Sequence, residues 1–119
     1  MSSPIHLEWR HDVAVIYCPE RIIADEIQEL RTSAVGAIEK TGRVICQLER
    51  VKFIDSVGLG LLASLCLSAR KRAGDVKLVA PSGGVKEILE ITLLGRVFAV
   101  HPTVEAAVAA FSTAALASR

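Results

Sequence analysis

The chain has no excess of charge of either sign: 119 residues carry 14 Lys and Arg against 13 Asp and Glu, a formal net charge of +1. These charges are scattered, so neither a nucleic-acid footprint nor a basic membrane-surface patch is expected. Paired cysteines are missing too. Cys18, Cys46 and Cys66 lie far apart inside apolar runs, with no Cys-x-x-Cys and no histidine beside them. Buried, reduced thiols are the simplest reading, and an odd count fits a reducing cytoplasm. The polar start Met1 to Pro4 lacks the apolar region of a secretory leader. No apolar run reaches the roughly 20 residues that cross a bilayer, the longest near-apolar one being Val57 to Leu67. A soluble, cytoplasmic protein without membrane insertion is expected.

Catalytic constellations are thin. His6, His11 and His101 stand alone, with no His-x-x-x-His spacing and no nucleophile beside them. The doublet Asp25-Glu26 suits a helix start, where the dipole favours acidic residues, better than a metal or acid-base pair. No metal and no cofactor is implied. Repeats, low-complexity tails and linkers are absent as well, so one domain is expected to fill residues 1–119.

Periodicity supplies the elements. Ile5 to Trp9 reads as a strand, Arg10-His11-Asp12 as a turn, and Val13 to Cys18 as a strand buried on both faces, ended by Pro19. Ile23, Ile27, Leu30, Ala34 and Ile38 then recur at helical steps, with Asp25 and Gln28 as a capping box and Gly42 as the stop. Val44 to Leu48 is a strand, and a helix follows from Val57 to about Arg72, closed by Gly74. Further on come a strand at Val76 to Ala80, a helix at Val85 to Leu94 ended by Gly95, a strand at Val97 to Val100 and a helix at Thr103 to Ala117. This alternation predicts an α/β fold: a mixed, mostly parallel sheet of about five strands with about four helices packed against it.

The densest set of constraints is the strand-to-helix junction Phe53-Ile54-Asp55-Ser56-Val57-Gly58-Leu59-Gly60-Leu61-Leu62. Asp55 or Ser56 suits the N-cap, since a short side-chain oxygen accepts from the free amides of the first turn. Gly58-x-Gly60 is placed like a phosphate cradle, but it lacks the third glycine of a dinucleotide fingerprint and the Gly-Lys-Ser/Thr of a P-loop. Asp55 is placed like a receiver's phospho-acceptor, but the acidic pair and the lysine that a receiver needs are missing. The glycines also suit close approach by another backbone or by a partner protein. Along the helix, Leu59, Leu62, Cys66 and Ala69 make an inner stripe, flanked by Leu61 and Leu65. Ser64, Ser68 and Lys71 mark a second face, smooth because Gly60, Ser64 and Ser68 are small. That face is either a docking surface or plain solvated surface.

These residues carry a resemblance. Phe53 to Leu62, with its Asp-Ser-x-Gly-Leu-Gly core, and Glu87 to Phe98 together resemble the STAS domain family, in particular its stand-alone anti-sigma factor antagonists, over Ile5 to Phe111. The resemblance implies a switch, not an enzyme. The partner would be an anti-sigma factor with serine kinase activity, which phosphorylates Ser56 and is bound only by the unphosphorylated form; a serine phosphatase would reset it. Asp55, Ser56, Val57, Gly58, Gly60, Ser64 and Ser68 are the implied contact residues. Two positions depart from the family. Glu20-Arg21-Ile22-Ile23 replaces a Gly-x-Leu-Asp motif, and Val57 replaces a second hydroxyl residue. The lost aspartate leaves room for a constitutive scaffold in a stress-sensing or lipid-transport complex, and the Gly58 and Gly60 turn for a nucleotide or small-molecule sensor.

Overall fold

The computed structural model describes residues 5–117. It opens with a hairpin of β1 (His6–Arg10) and β2 (Val13–Tyr17), whose two-residue turn places His11 at φ 57°. There follow β3 (Arg21–Ile22), α1 (Gln28–Lys40), β4 (Arg43–Gln47), β5 (Phe53–Ile54) and α2 (Ser56–Lys71). The chain continues through β6 (Asp75–Val79), α3 (Gly83–Ile91), a 3-10 turn (Leu93–Arg96), β7 (Val100–His101) and α4 (Val104–Ala117).

Five strands form one sheet in the order β1-β2-β4-β6-β7, antiparallel only between β1 and β2. The mixed, mostly parallel α/β architecture expected from the pattern is therefore the one observed. One face of the sheet, with Ala14, Ile16, Val44, Cys46, Val76 and Leu78, packs under α1, α2 and α3. The other, with Val13, Val15, Ile45 and Val79, meets Val104, Ala107 and Phe111 of α4. Strands covered on both faces need apolar residues at consecutive positions, which explains the unbroken run of β2. Lys77 is the buried exception; its Nζ lies 4.9 Å from the Phe111 ring centre and 3.4 Å from Asp75. All three cysteines are free and buried, and the neighbouring Cys46, together with burial, holds the Cys18 thiol far above its ordinary pKa. No helix among the described residues is long and apolar enough to cross a membrane.

The structure corrects several element ends. α1 starts at Gln28 after Ile27 with no side-chain cap, so Asp25 and Gln28 form no capping box. Glu26 instead pairs with Arg21 at 3.1 Å. Gly42 does end α1, at φ +76°, but the left-handed residue after α2 is Ala73. Gly74 serves packing, because a Cβ there would lie 2.0 Å from the Gly42 carbonyl oxygen. α3 stops at Ile91 rather than Leu94, with the Thr92 hydroxyl donating to the Ile88 carbonyl at 2.7 Å, and Gly95 falls within the 3-10 turn. The last strand shrinks from the expected Val97 to Val100 to Val100–His101, since Arg70 donates to the Val97 carbonyl and Phe98 turns into the core. Two short strands, β3 and β5, also pair in parallel as a separate sheet beside the start of α2.

Candidate partner-binding site

β5 delivers the chain to α2 in extended conformation, and Asp55 is the N-cap residue. Its Oδ1 accepts from the Gly58 amide at 2.8 Å and its Oδ2 from the Ala24 amide at 3.0 Å. One carboxylate therefore caps α2 and ties down the loop that leaves β3. Both bonds favour the charged form. They hold the Asp55 pKa below its ordinary value, the Ala24 bond contributing most and the Gly58 bond next. With the cap made by Asp55, Ser56 becomes the first residue of α2, and its exposed hydroxyl has no hydrogen-bond partner among the described residues. Asp55 and Ser56 are neighbours without a bond between their side chains.

Gly58 is not where a partner can approach. It is buried, and a Cβ added to it would lie 2.0 Å from the Ile22 carbonyl oxygen. The close approach expected there is internal, between β3 and α2. Gly60, in contrast, is exposed, and a Cβ added to it would meet nothing within 4 Å. Val57, Gly60, Ser64, Ser68 and Lys71 follow Ser56 on the outer side of α2, and the Ser64 hydroxyl donates to its own helix at the Leu61 carbonyl, 3.1 Å away. The inner side is Leu61, Leu62, Leu65, Cys66 and Ala69, with Leu59 only half-buried.

Two exposed apolar residues missed in the sequence lie on and before α2. Phe53 is 60% exposed immediately before the junction, and Leu67 is 55% exposed three residues after Ser64. Helical spacing pointed to Leu67, and strand alternation to Phe53. Beside the junction lies a groove of about 380 Å³ whose walls include Arg21, Ile23, Phe53, Asp55, Val85 and Ile88. Ile23 supplies part of the apolar wall of this groove. Its two cations are already engaged, Arg21 with Glu26 and Lys52 with Glu20 at 3.2 Å.

The STAS domain model matches residues 5–107, nearly the whole described chain. The chain belongs to the STAS domain family. Among STAS relatives, the anti-sigma-F factor antagonist RsfA of Mycobacterium tuberculosis is 31% identical over 83 residues, 70% of this chain. The match spans 65% of the length of RsfA. BtrV of Bordetella bronchiseptica, named as an anti-sigma factor antagonist, is 29% identical over 105 residues, 87% of this chain and 90% of BtrV. The unphosphorylated SpoIIAA structure shares the STAS fold at a TM-score of 0.68 and 21% identity, covering 86% of this chain and 91% of that one. SpoIIAA of Bacillus has also been solved in a phosphorylated form, which matches at a TM-score of 0.69 and 24% identity over 88% of this chain and 96% of its own.

Proposed function

We propose that this protein is an anti-sigma factor antagonist switched by phosphorylation of Ser56, and a binding protein rather than an enzyme. One observation carries the reading: the Ser56 hydroxyl is exposed and, among the described residues, unbonded at the head of an exposed helix face, because Asp55 has taken over the cap. The names of RsfA and BtrV support the role, and the two SpoIIAA forms show that a protein of this fold is phosphorylated. In the unphosphorylated state the outer face of α2, from Phe53 and Val57 to Leu67, packs against an anti-sigma factor and so frees the sigma factor for transcription. That partner is also the kinase. Its ATP passes the γ-phosphoryl group to the Ser56 oxygen, the hydroxyl proton leaves, and ADP is released. A serine phosphatase hydrolyses the ester and restores the hydroxyl.

The modification adds about −1.5 to −2 charges at pH 7. Asp55 beside it is already ionised, its carboxylate holding the Gly58 amide, and the nearby Arg21 and Lys52 are in ion pairs. A phosphate here gains from the helix dipole yet finds no unpaired cation in the groove among the described residues. Its desolvation in a close contact opposes binding, so release follows. Incubation with the cognate kinase and ATP, followed by peptide mapping, tests the site. Phosphate confined to Ser56 and absent from Ser56→Ala supports it; undiminished labelling of Ser56→Ala rejects it.

Ile23 favours a second reading, a constitutive scaffold whose partner seats an apolar side chain in the groove. A partner complex indifferent to Ser56→Asp but broken by Ile23→Asp would select this reading over the switch.

A further inference from the structure

We propose that β1 is a self-association edge: two copies pair their β1 strands antiparallel, with Leu7 on the two-fold axis, and the sheet runs through both. β1 ends the sheet order, so among the described residues no strand pairs with one side of its backbone. Which groups face outward follows from the hairpin. A two-residue turn makes Arg10↔Val13 the hydrogen-bonded closing pair, and antiparallel pairs alternate. His6, Glu8 and Arg10 therefore spend their amides and carbonyls on β2, while those of Ile5, Leu7 and Trp9 point away from it. Among the described residues no backbone bond reaches that outer side.

Exposed edges are normally blunted by charges, above all lysine, by proline or by a bulge; the charges of β1, Glu8 and Arg10, lie on the α4 side and pair with each other. β1 has no lysine, proline or bulge within His6–Arg10, and its register with β2 is unbroken. Leu7 and Trp9 are each 41% exposed on the α1 side of the sheet, where the Lys40 ammonium lies 5.3 Å from the Trp9 ring centre. Ile5 packs partly on the same core.

Of the symmetric registers that present outward groups to outward groups, those centred on Ile5 or His6 leave the outward groups of Trp9 unpaired among the described residues, and side-chain chemistry separates the other three. Centring on Trp9 runs the pairing into the turn at His11. Centring on Glu8 sets Glu8 directly against its own copy, and like charges opposite one another are destabilising. Centring on Leu7 pairs all the outward backbone groups of Ile5, Leu7 and Trp9. It also stacks Leu7 on Leu7 and Trp9 on Ile5 twice, and places each Glu8 carboxylate opposite a His6 ring. The occupant that fits is therefore a second copy. α2 packs on β6, on the far side of β2 and β4 from β1, so the paired molecule keeps both Ser56 faces open.

Sedimentation equilibrium of the whole chain across a concentration series tests this. The parent should approach twice its 12.7 kDa mass, while Leu7→Lys, and Leu7→Pro, which removes the outward amide and the leucyl side chain but no donor to β2, should sediment as monomers. A parent that stays monomeric throughout, or a dimer unchanged in both variants, overturns the proposal. Leu7→Cys supplies a readout independent of stability. Directly paired residues have Cα atoms about 5.5 Å apart, within disulfide reach. The native cysteines are all buried. Mild oxidation should give a disulfide-linked dimer of Leu7→Cys, and its failure to form would reject the Leu7-centred pairing.

Discussion

Two strand-to-helix junctions in this molecule use nearly the same residues to different ends. β5 passes into α2 through Asp55-Ser56-Val57-Gly58, and β6 passes into α3 through Pro81-Ser82-Gly83-Gly84. At α2 an aspartate holds the N-cap, bonds the Gly58 and Ala24 amides, and Gly58 closes onto Ile22. At α3 Ser82 itself occupies the N-cap, makes no side-chain cap bond, and the glycines after it face open space. A serine and two glycines therefore do not define a site. What separates the junctions is the aspartate one residue earlier and the strand it reaches, which leave Ser56 chemically idle on a fixed frame.

Substitutions can break that contrast, beginning with Gly58→Ala. The new Cβ would collide with backbone at Ile22, so a loss of about 3 kcal/mol, as for overpacked cores, is expected in urea unfolding. Asp55→Asn comes next, because the amide cannot accept from both Ala24 and Gly58 in the same way. The folded pKa of Asp55 is depressed, so its contribution is present above the ordinary value of 3.8 and is lost as pH falls through the lower folded value. Melting curves of parent and Asp55→Asn should thus differ at neutral pH and converge in acid below 3.8. Gly84→Ala, in open space within α3, should gain about 0.5–1 kcal/mol through helix propensity. Ser82→Ala should change stability least, by under about 0.5 kcal/mol, since no cap bond is lost.

The start of α2 is legible in the sequence because its chemistry is local: an aspartate, a serine and a helical apolar stripe within a few residues. Long-range partners are not legible. Gly58 reads as clearance for another protein, and only the parallel pairing of β3 with β5 brings Ile22 against it. Asp25 reads as a cap, but a backbone turn from Ile23 to Glu26 intervenes and α1 begins after Ile27 with no side-chain cap. Val97 has a strand's composition, yet a guanidinium from α2 takes its carbonyl. In the site itself, Ser56 follows from the pattern and the resemblance. The apolar shoulder of Phe53 and Leu67 goes unread despite helical spacing from Ser64 to Leu67, because an apolar residue in sequence is counted as core by default.

If Ser56 is the switch, a phosphate on it abolishes a contact made by an otherwise unchanged surface. Titration calorimetry of the anti-sigma factor against the unphosphorylated protein and its Ser56-phosphorylated form measures this directly. Binding at least about tenfold weaker is expected for the phosphorylated form, equivalent to about 1.4 kcal/mol. Equal affinities for the two forms would contradict the switch.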